Sequence, residues 1–70
     1  MSKVAYEIRV VGEVPARLVE DFDKLTVVPD QLGATLHAEL ADQAELHGLL
    51  EALRREGLVL VDVRRKPSFD

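Results

Sequence analysis

Apolar and polar residues alternate with a period of two in three stretches of the chain, which is the pattern of half-buried strands. These predicted strands are Val4–Val11, Ala34–Leu40 and Leu58–Arg64. A fourth, shorter β-rich run at Leu25–Val28 precedes the second of them. The turn residues Pro29–Gly33 lie between the two runs and predict a hairpin.

Apolar residues at helical spacing predict two helices. The clearer one begins at Asp42, a good N-cap with Glu45 three residues on, and ends at Gly57, which suits a left-handed C-terminal residue. Its apolar stripe consists of Leu46, Leu49, Leu50 and Leu53. The other helix is predicted from Pro15 to Phe22 or Asp23 and is too short to be stable without tertiary contacts.

The predicted order β-α-β-β-α-β defines a ferredoxin-like, two-layer α+β sandwich. Right-handed crossovers give the sheet order 4-1-3-2, with the first and third strands side by side and parallel, and with both helices on one face. We expect a single domain over residues 1–70, structured from about residue 3 to 65, with a polar tail at 66–70. The expected core, besides the helix leucines, is Tyr6, Ile8, Val10, Leu36, Ala38, Val59 and Val61.

Length and composition favour self-association. A chain of 70 residues buries a thin core, and domains of this size commonly add disulfides, a metal or oligomerisation. The chain has no cysteine, which excludes disulfides, thiolate metal sites and cysteine nucleophiles. Oligomerisation, most simply into a homodimer, is therefore the expected source of additional stability.

Charge and hydropathy exclude two classes of partner. A formal net charge of −4 argues against general nucleic-acid binding, and the expected open sheet face has no aromatic residue for stacking bases. No apolar run approaches the roughly 20 residues of a membrane span, and the N-terminal residues lack a signal-peptide core. We therefore expect a cytoplasmic protein without nucleic-acid or membrane partners.

The sheet face away from the helices carries the one constellation that could do chemistry. It is expected to present Glu7, Arg9, His37, Glu39, Leu60 and Asp62. Carboxylates beside a histidine could act as an acid–base pair or bind a metal. Solvated ion pairs across strands are the favoured interpretation, because the ligand spacing that specifies a metal is missing. An apolar minority on this face suggests partial cover by a partner.

The back of the long helix is the second candidate surface. Ala44, Gly48 and Ala52 recur every four residues, roughly opposite the leucines, and His47 lies at the flank. A glycine inside a helix costs roughly 1 kcal/mol of stability relative to alanine. Gly48 therefore either permits close approach of another helix or is tolerated without a structural role. A boundary histidine that hydrogen-bonds a glutamate is the commoner role for His47.

Two resemblances can be stated from these residues. The order of strand, Gly12 turn, helix, hairpin, helix and strand is similar to an ACT-type regulatory domain. That resemblance implies side-by-side pairing and amino-acid binding at the first strand–helix turn, where only Gly12 matches and Glu13 and Pro15 depart from the pattern. The run Ala41–Leu50, with its DQAELHGLL sequence, resembles short uncharacterised bacterial proteins and implies no known activity.

Three functions follow as hypotheses. The leading one is a non-enzymatic, homo-oligomeric or protein-interaction module with no cofactor and no metal, since no catalytic motif occurs. The alternative is small-ligand sensing in the ACT manner, with Gly12 at the ligand turn. A third is a dimeric α+β-barrel enzyme that would use His37 and Glu39 in a cavity between two sheets.

Overall fold

A computed structural model describes residues 3–22 and 25–66 of the chain. The elements are β1 (Val4–Val11), α1 (Ala16–Asp21), β2 (Leu25–Pro29), β3 (Gly33–Leu40), α2 (Gln43–Arg55) and β4 (Val59–Lys66). The predicted element order is confirmed, and most ends agree within one or two residues.

Three predicted ends need correction or fall outside the described chain. Pro15 is the N-cap of α1 and lies before its first turn, with extended backbone angles that suit proline. Strand β4 continues to Lys66, so the expected tail begins at least one residue later than predicted. Asp23, the alternative end of α1, and residues 67–70 lie outside the described residues.

The four strands form one antiparallel sheet in the order β2-β3-β1-β4, which reads β4-β1-β3-β2 from the opposite edge. The α+β class is confirmed. The prediction of parallel central strands was wrong, because β1 and β3 pair antiparallel. The crossover through α1 leaves β1 and β2 running in the same direction, and the tight hairpin then reverses β3.

A single core lies between the sheet and the two helices. Its largest fully buried side chains include Ile8 of β1, Leu36 of β3, and Leu49 and Leu53 of α2. Leu18 of α1 belongs to the same cluster. Both helices therefore cover the same face of the sheet. Each buried leucine or isoleucine stabilises the fold by about 1.5–3 kcal/mol relative to an exposed one.

Strand β4 corrects the predicted core. Leu60 lies opposite Val10 on β1, but the next pair is Asp62 with Arg9, so Val61 is an extra residue in a β-bulge. The bulge reverses the expected alternation at the start of the strand: Leu60 packs against the core, whereas Val61 is 54% exposed. Val59, also expected inside, is 61% exposed.

Both ends of α2 are capped as the sequence predicts. The Asp42 carboxylate accepts a hydrogen bond from the Glu45 N–H at 2.9 Å, and the Glu45 carboxylate accepts one from the Ala41 N–H at 2.9 Å. At the other end Gly57 has a φ of 84°, and the N–H of Leu58 donates to the Leu53 carbonyl at 3.1 Å. The Gly57 N–H also donates to the Arg54 carbonyl at 2.9 Å, and these two C-terminal bonds form a Schellman motif that places Leu58 in the core.

Within 3–22 and 25–66, no helix combines the length and the apolar character needed to cross a bilayer.

Gly33, at the start of β3, lies directly against the β1 backbone. A Cβ added there would lie 2.1 Å from the Val10 carbonyl oxygen and 2.7 Å from the Val11 Cα, both backbone atoms. Backbone atoms cannot move aside without shifting the strand. A side chain at residue 33 therefore conflicts with the β1–β3 pairing itself.

We expect Gly33→Ala to destabilise the fold by about 1–3 kcal/mol, since relief of the clash requires a backbone shift. The matched control is Gly48→Ala, because a Cβ at Gly48 meets nothing within 4 Å and alanine favours the helix by about 1 kcal/mol. Urea denaturation of both variants measures the two changes. Equal midpoints for wild type and Gly33→Ala would contradict the expected clash.

Candidate functional site

The sheet face opposite the helices, here called the open face, is built from residues that alternate with the core residues. On β1 it carries Glu7 and Arg9, on either side of buried Ile8. Register places His37 of β3 opposite Glu7, and Asp62 of β4 opposite Arg9. The remaining members are Ala5, Val11, Thr26, Val28, Thr35, Glu39, Val59, Arg64 and Lys66.

The structure therefore brings together five of the six predicted open-face residues. Leu60 is the exception, because the bulge at Val61 turns it toward the core. The predicted neighbours Glu7 and His37 do lie opposite one another on the two central strands. Glu39 lies at the far end of the face, where its register partner is Ala5.

Ion pairs occupy most of the charged groups on this face. The Arg9 guanidinium lies 3.4 Å from an Asp30 carboxylate oxygen, and the Lys66 ammonium lies 3.5 Å from a Glu7 carboxylate oxygen. Along β4 the Arg64 Nε lies 2.6 Å from the Asp62 carboxylate. Such exposed pairs contribute little stability individually, roughly 0–1 kcal/mol, but they give the face a nearly balanced charge.

Contacts of Glu7 and His37 with their neighbours limit the chemistry that this pair could perform. Glu7 is paired with Lys66, and His37 is half-buried between its register partners Glu7 on β1 and Thr26 on β2. Among residues 3–22 and 25–66, no group of three or more histidines and carboxylates is placed to hold a metal ion. The arrangement favours a charged contact surface over an acid–base site.

Asp30 is a member of the charged network that sequence reasoning placed only in a turn. Its Oδ1 accepts hydrogen bonds from the N–H groups of Leu32 at 2.9 Å and Gly33 at 2.8 Å. These two bonds, with a smaller contribution from Arg9, hold the pKa of Asp30 below its ordinary value of 3.8. The aspartate of a Pro-Asp-x-x-Gly turn is the sequence signal that could have indicated this role.

Exposed apolar side chains are concentrated where β1 ends and β4 begins. Val11 is 40% exposed and lies opposite Val59 on the open face. Farther along β4, Val61 and Val63 are 54% and 38% exposed. Sequence reasoning missed the outward position of the first two β4 valines, because an alternating apolar run carries no signal of a bulge.

The small-residue stripe of α2 is only partly an outer surface. Ala44, His47 and Gly48 are exposed, but Ala52 is half-buried and packs against the core. Within the described chain nothing lies within 4 Å of a Cβ placed on Gly48. Close approach of another helix within this fold is thus not the reason for the glycine.

The turn at Gly12 borders a cavity of about 550 Å³. Gly12 has a φ of 123°, and its N–H donates to the Leu32 carbonyl at 3.2 Å, which ties the β1–α1 connection to the β2–β3 hairpin. Glu13, Val14, Val27 and Gln31 are among the lining residues. The volume lies in the range of small-molecule pockets, about 300–1,000 Å³.

The fold and this face together define a small α+β domain with a charged, open sheet surface. The chain belongs to the family described as a domain of unknown function (DUF8691), whose sequence model matches residues 5–64. The match agrees with the expectation of an uncharacterised family, while the signature role of DQAELHGLL and a bacterial origin stay predictions. No curated protein and no solved structure matches the chain.

The lowered pKa of Asp30 predicts a pH dependence of stability. The native state holds this proton more weakly than the unfolded chain, so the stabilisation is complete above the unfolded pKa and is lost as the pH falls through the native pKa, below 3.8. As the pH is lowered from 6 into the acid range, the free energy of unfolding should therefore fall less steeply in Asp30→Asn than in wild type.

A chemical-shift titration of the Asp30 carboxyl provides the direct measurement. Arg9→Gln should raise the pKa of Asp30 slightly, because the arginine stabilises the carboxylate less than the two backbone hydrogen bonds do. A wild-type Asp30 that titrates at or above 3.8 would contradict the geometry of the turn.

Proposed function

We propose that this ferredoxin-like domain is a non-enzymatic, cytoplasmic interaction module that works as a homo-oligomer. The observation that carries the proposal is the row of exposed valines on β4, at Val59, Val61 and Val63. In the described sheet β4 is an edge strand, bonded on one side only to β1. An edge strand that exposes valines together with backbone donors and acceptors favours association with another chain.

The size of the core supports the same function. Among residues 3–22 and 25–66 the buried set consists of 11 hydrophobic residues, three of them alanines or valines, and the chain has no cysteine for disulfides. Association would bury further apolar surface at about 25 cal/mol per Å². The stability of the fold and the function of the surface would then depend on the same contact.

Analytical ultracentrifugation should show a reversible monomer–dimer equilibrium within the micromolar range, about −8 kcal/mol at a Kd near 1 μM. Val61→Lys should weaken the dimer at least about tenfold, which corresponds to about 1.4 kcal/mol. Val28→Lys is the matched control, since Val28 is 50% exposed but lies on β2 at the opposite edge. A monomer at all concentrations up to about 100 μM would refute self-association.

Small-ligand sensing is a second candidate, favoured by the cavity beside Gly12. Its lining combines apolar Val14 and Val27 with the polar side chains of Glu13 and Gln31. Such a mixed pocket suits a small zwitterion such as an amino acid, whose ammonium group Glu13 could receive. The location agrees with the ligand turn that the ACT resemblance implies.

A thermal-shift screen with the amino acids tests this candidate. A ligand that binds only the folded chain stabilises it by about 2.7 kcal/mol at 100 times its Kd, and Glu13→Gln should reduce that shift. Glu20→Gln is a suitable control because Glu20 is an exposed residue of α1 that does not line the cavity. An unchanged melting temperature across the screen would eliminate amino-acid sensing.

A further inference from the structure

The outer edge of β4 has one regular segment. The bulge leaves Val61 without a partner on β1, whereas Asp62–Lys66 pairs residue by residue with Ala5–Arg9. A two-fold register is regular at its centre only when the axis lies within this segment, because a bulge interrupts the row of outward backbone groups. The segment has alternating faces: Asp62, Arg64 and Lys66 lie on the open face, and Val63 and Arg65 lie on the helix side.

Symmetry restricts how two copies could join along this segment. Two identical chains that pair antiparallel, with their helices on the same side, are related by a two-fold axis perpendicular to the sheet. Paired residues in an antiparallel ladder share a face, and a register slip of one residue would exchange the faces. The axis must therefore pass between one residue and the same residue of the second copy.

Charge eliminates four of the five positions for that axis. An axis at Asp62 would set a carboxylate against its own copy, and like charges directly opposite one another are destabilising. An axis at Arg64, Arg65 or Lys66 would do the same with two cations. Val63 is the remaining residue of the segment and the one without a charge.

The register through Val63 is also favourable for its neighbours. It places Asp62 opposite the partner's Arg64, and by symmetry Arg64 opposite the partner's Asp62. All four side chains lie on the open face. Within each copy Arg64 is 73% exposed and Asp62 is 45% exposed, and the Arg64 Nε already lies 2.6 Å from the Asp62 carboxylate. On the helix side the two copies of Val63, each 38% exposed, would bury one another.

We propose that β4 is the homodimer contact, with Val63 on the two-fold axis and reciprocal Asp62–Arg64 pairs on either side. This inference rests on the proposed self-association and specifies its interface. Joining two four-stranded sheets in this way gives one eight-stranded antiparallel sheet with all four helices on one side. The partner that fits the edge is a second copy of this chain.

Charge exchange tests the register. In Asp62→Arg both 62–64 pairs across the dimer consist of two cations, and in Arg64→Asp both consist of two anions. Each variant alone should dimerise at least about tenfold more weakly than wild type, since like charges directly opposite one another on paired strands are destabilising. An equimolar mixture should form a heterodimer of near wild-type affinity, because the two variants complement each other at both pairs.

Two further variants complete the experiment. The double variant Asp62→Arg/Arg64→Asp exchanges the charges within one chain and should restore the homodimer to within about threefold of wild type. Glu39→Arg is the matched control: it makes the same change of charge at an exposed open-face position on β3, away from the edge. Its dimer affinity should stay close to that of wild type.

The outcomes separate this inference from the proposed function. A wild-type chain that stays monomeric refutes self-association, and the interface with it. A wild-type dimer that the single charge variants leave unchanged keeps self-association and overturns the β4 register. Weakened variants that neither the mixture nor the double variant rescues also overturn it, since rescue is the effect that a general loss of folding cannot produce.

Discussion

The antiparallel pairing of β1 with β3 is the interaction on which the rest of the structure depends. It extends over eight residue pairs, from Val4 with Leu40 to Val11 with Gly33, and it aligns Ile8 with Leu36 at the centre of the core. Both outer strands attach to this pair, and both helices pack against its buried face. At Gly33 this pairing requires a glycine, because the β1 backbone fills the space that any side chain at residue 33 would need.

The bulge at Val61 determines the surface of the molecule as strongly as the central pair determines its core. One extra residue keeps Leu60 inside, leaves Val61 without a partner and returns Asp62 to the open face. Bulges are one way in which proteins control exposed edges, because they interrupt the backbone pattern that another strand would use. Here the interruption leaves a short regular segment, whose order of charges permits one two-fold register.

Balanced charge characterises the open face. Its cations and carboxylates are mostly engaged with one another, and His37 lies opposite Glu7, which is paired with Lys66. The turn aspartate Asp30 extends the network from the sheet to the hairpin, while Gly12 ties that hairpin to the start of α1. A contact surface and a neighbouring small cavity are therefore the two features of this domain that fit a binding function.

The sequence by itself determined the elements, the ends of α2 and the buried faces of β1 and β3, since capping residues, Gly57 and residue periodicity act through local geometry. It also indicated that the charges of Glu7, Arg9 and Asp62 would share the open face. Only the tertiary structure decided the direction of β3, the outward position of Val59 and the inward position of Leu60. These three features depend on which strands pair and in what register. Periodicity along one strand gives no information about a bulge, because a bulge is defined by the pairing with a second strand.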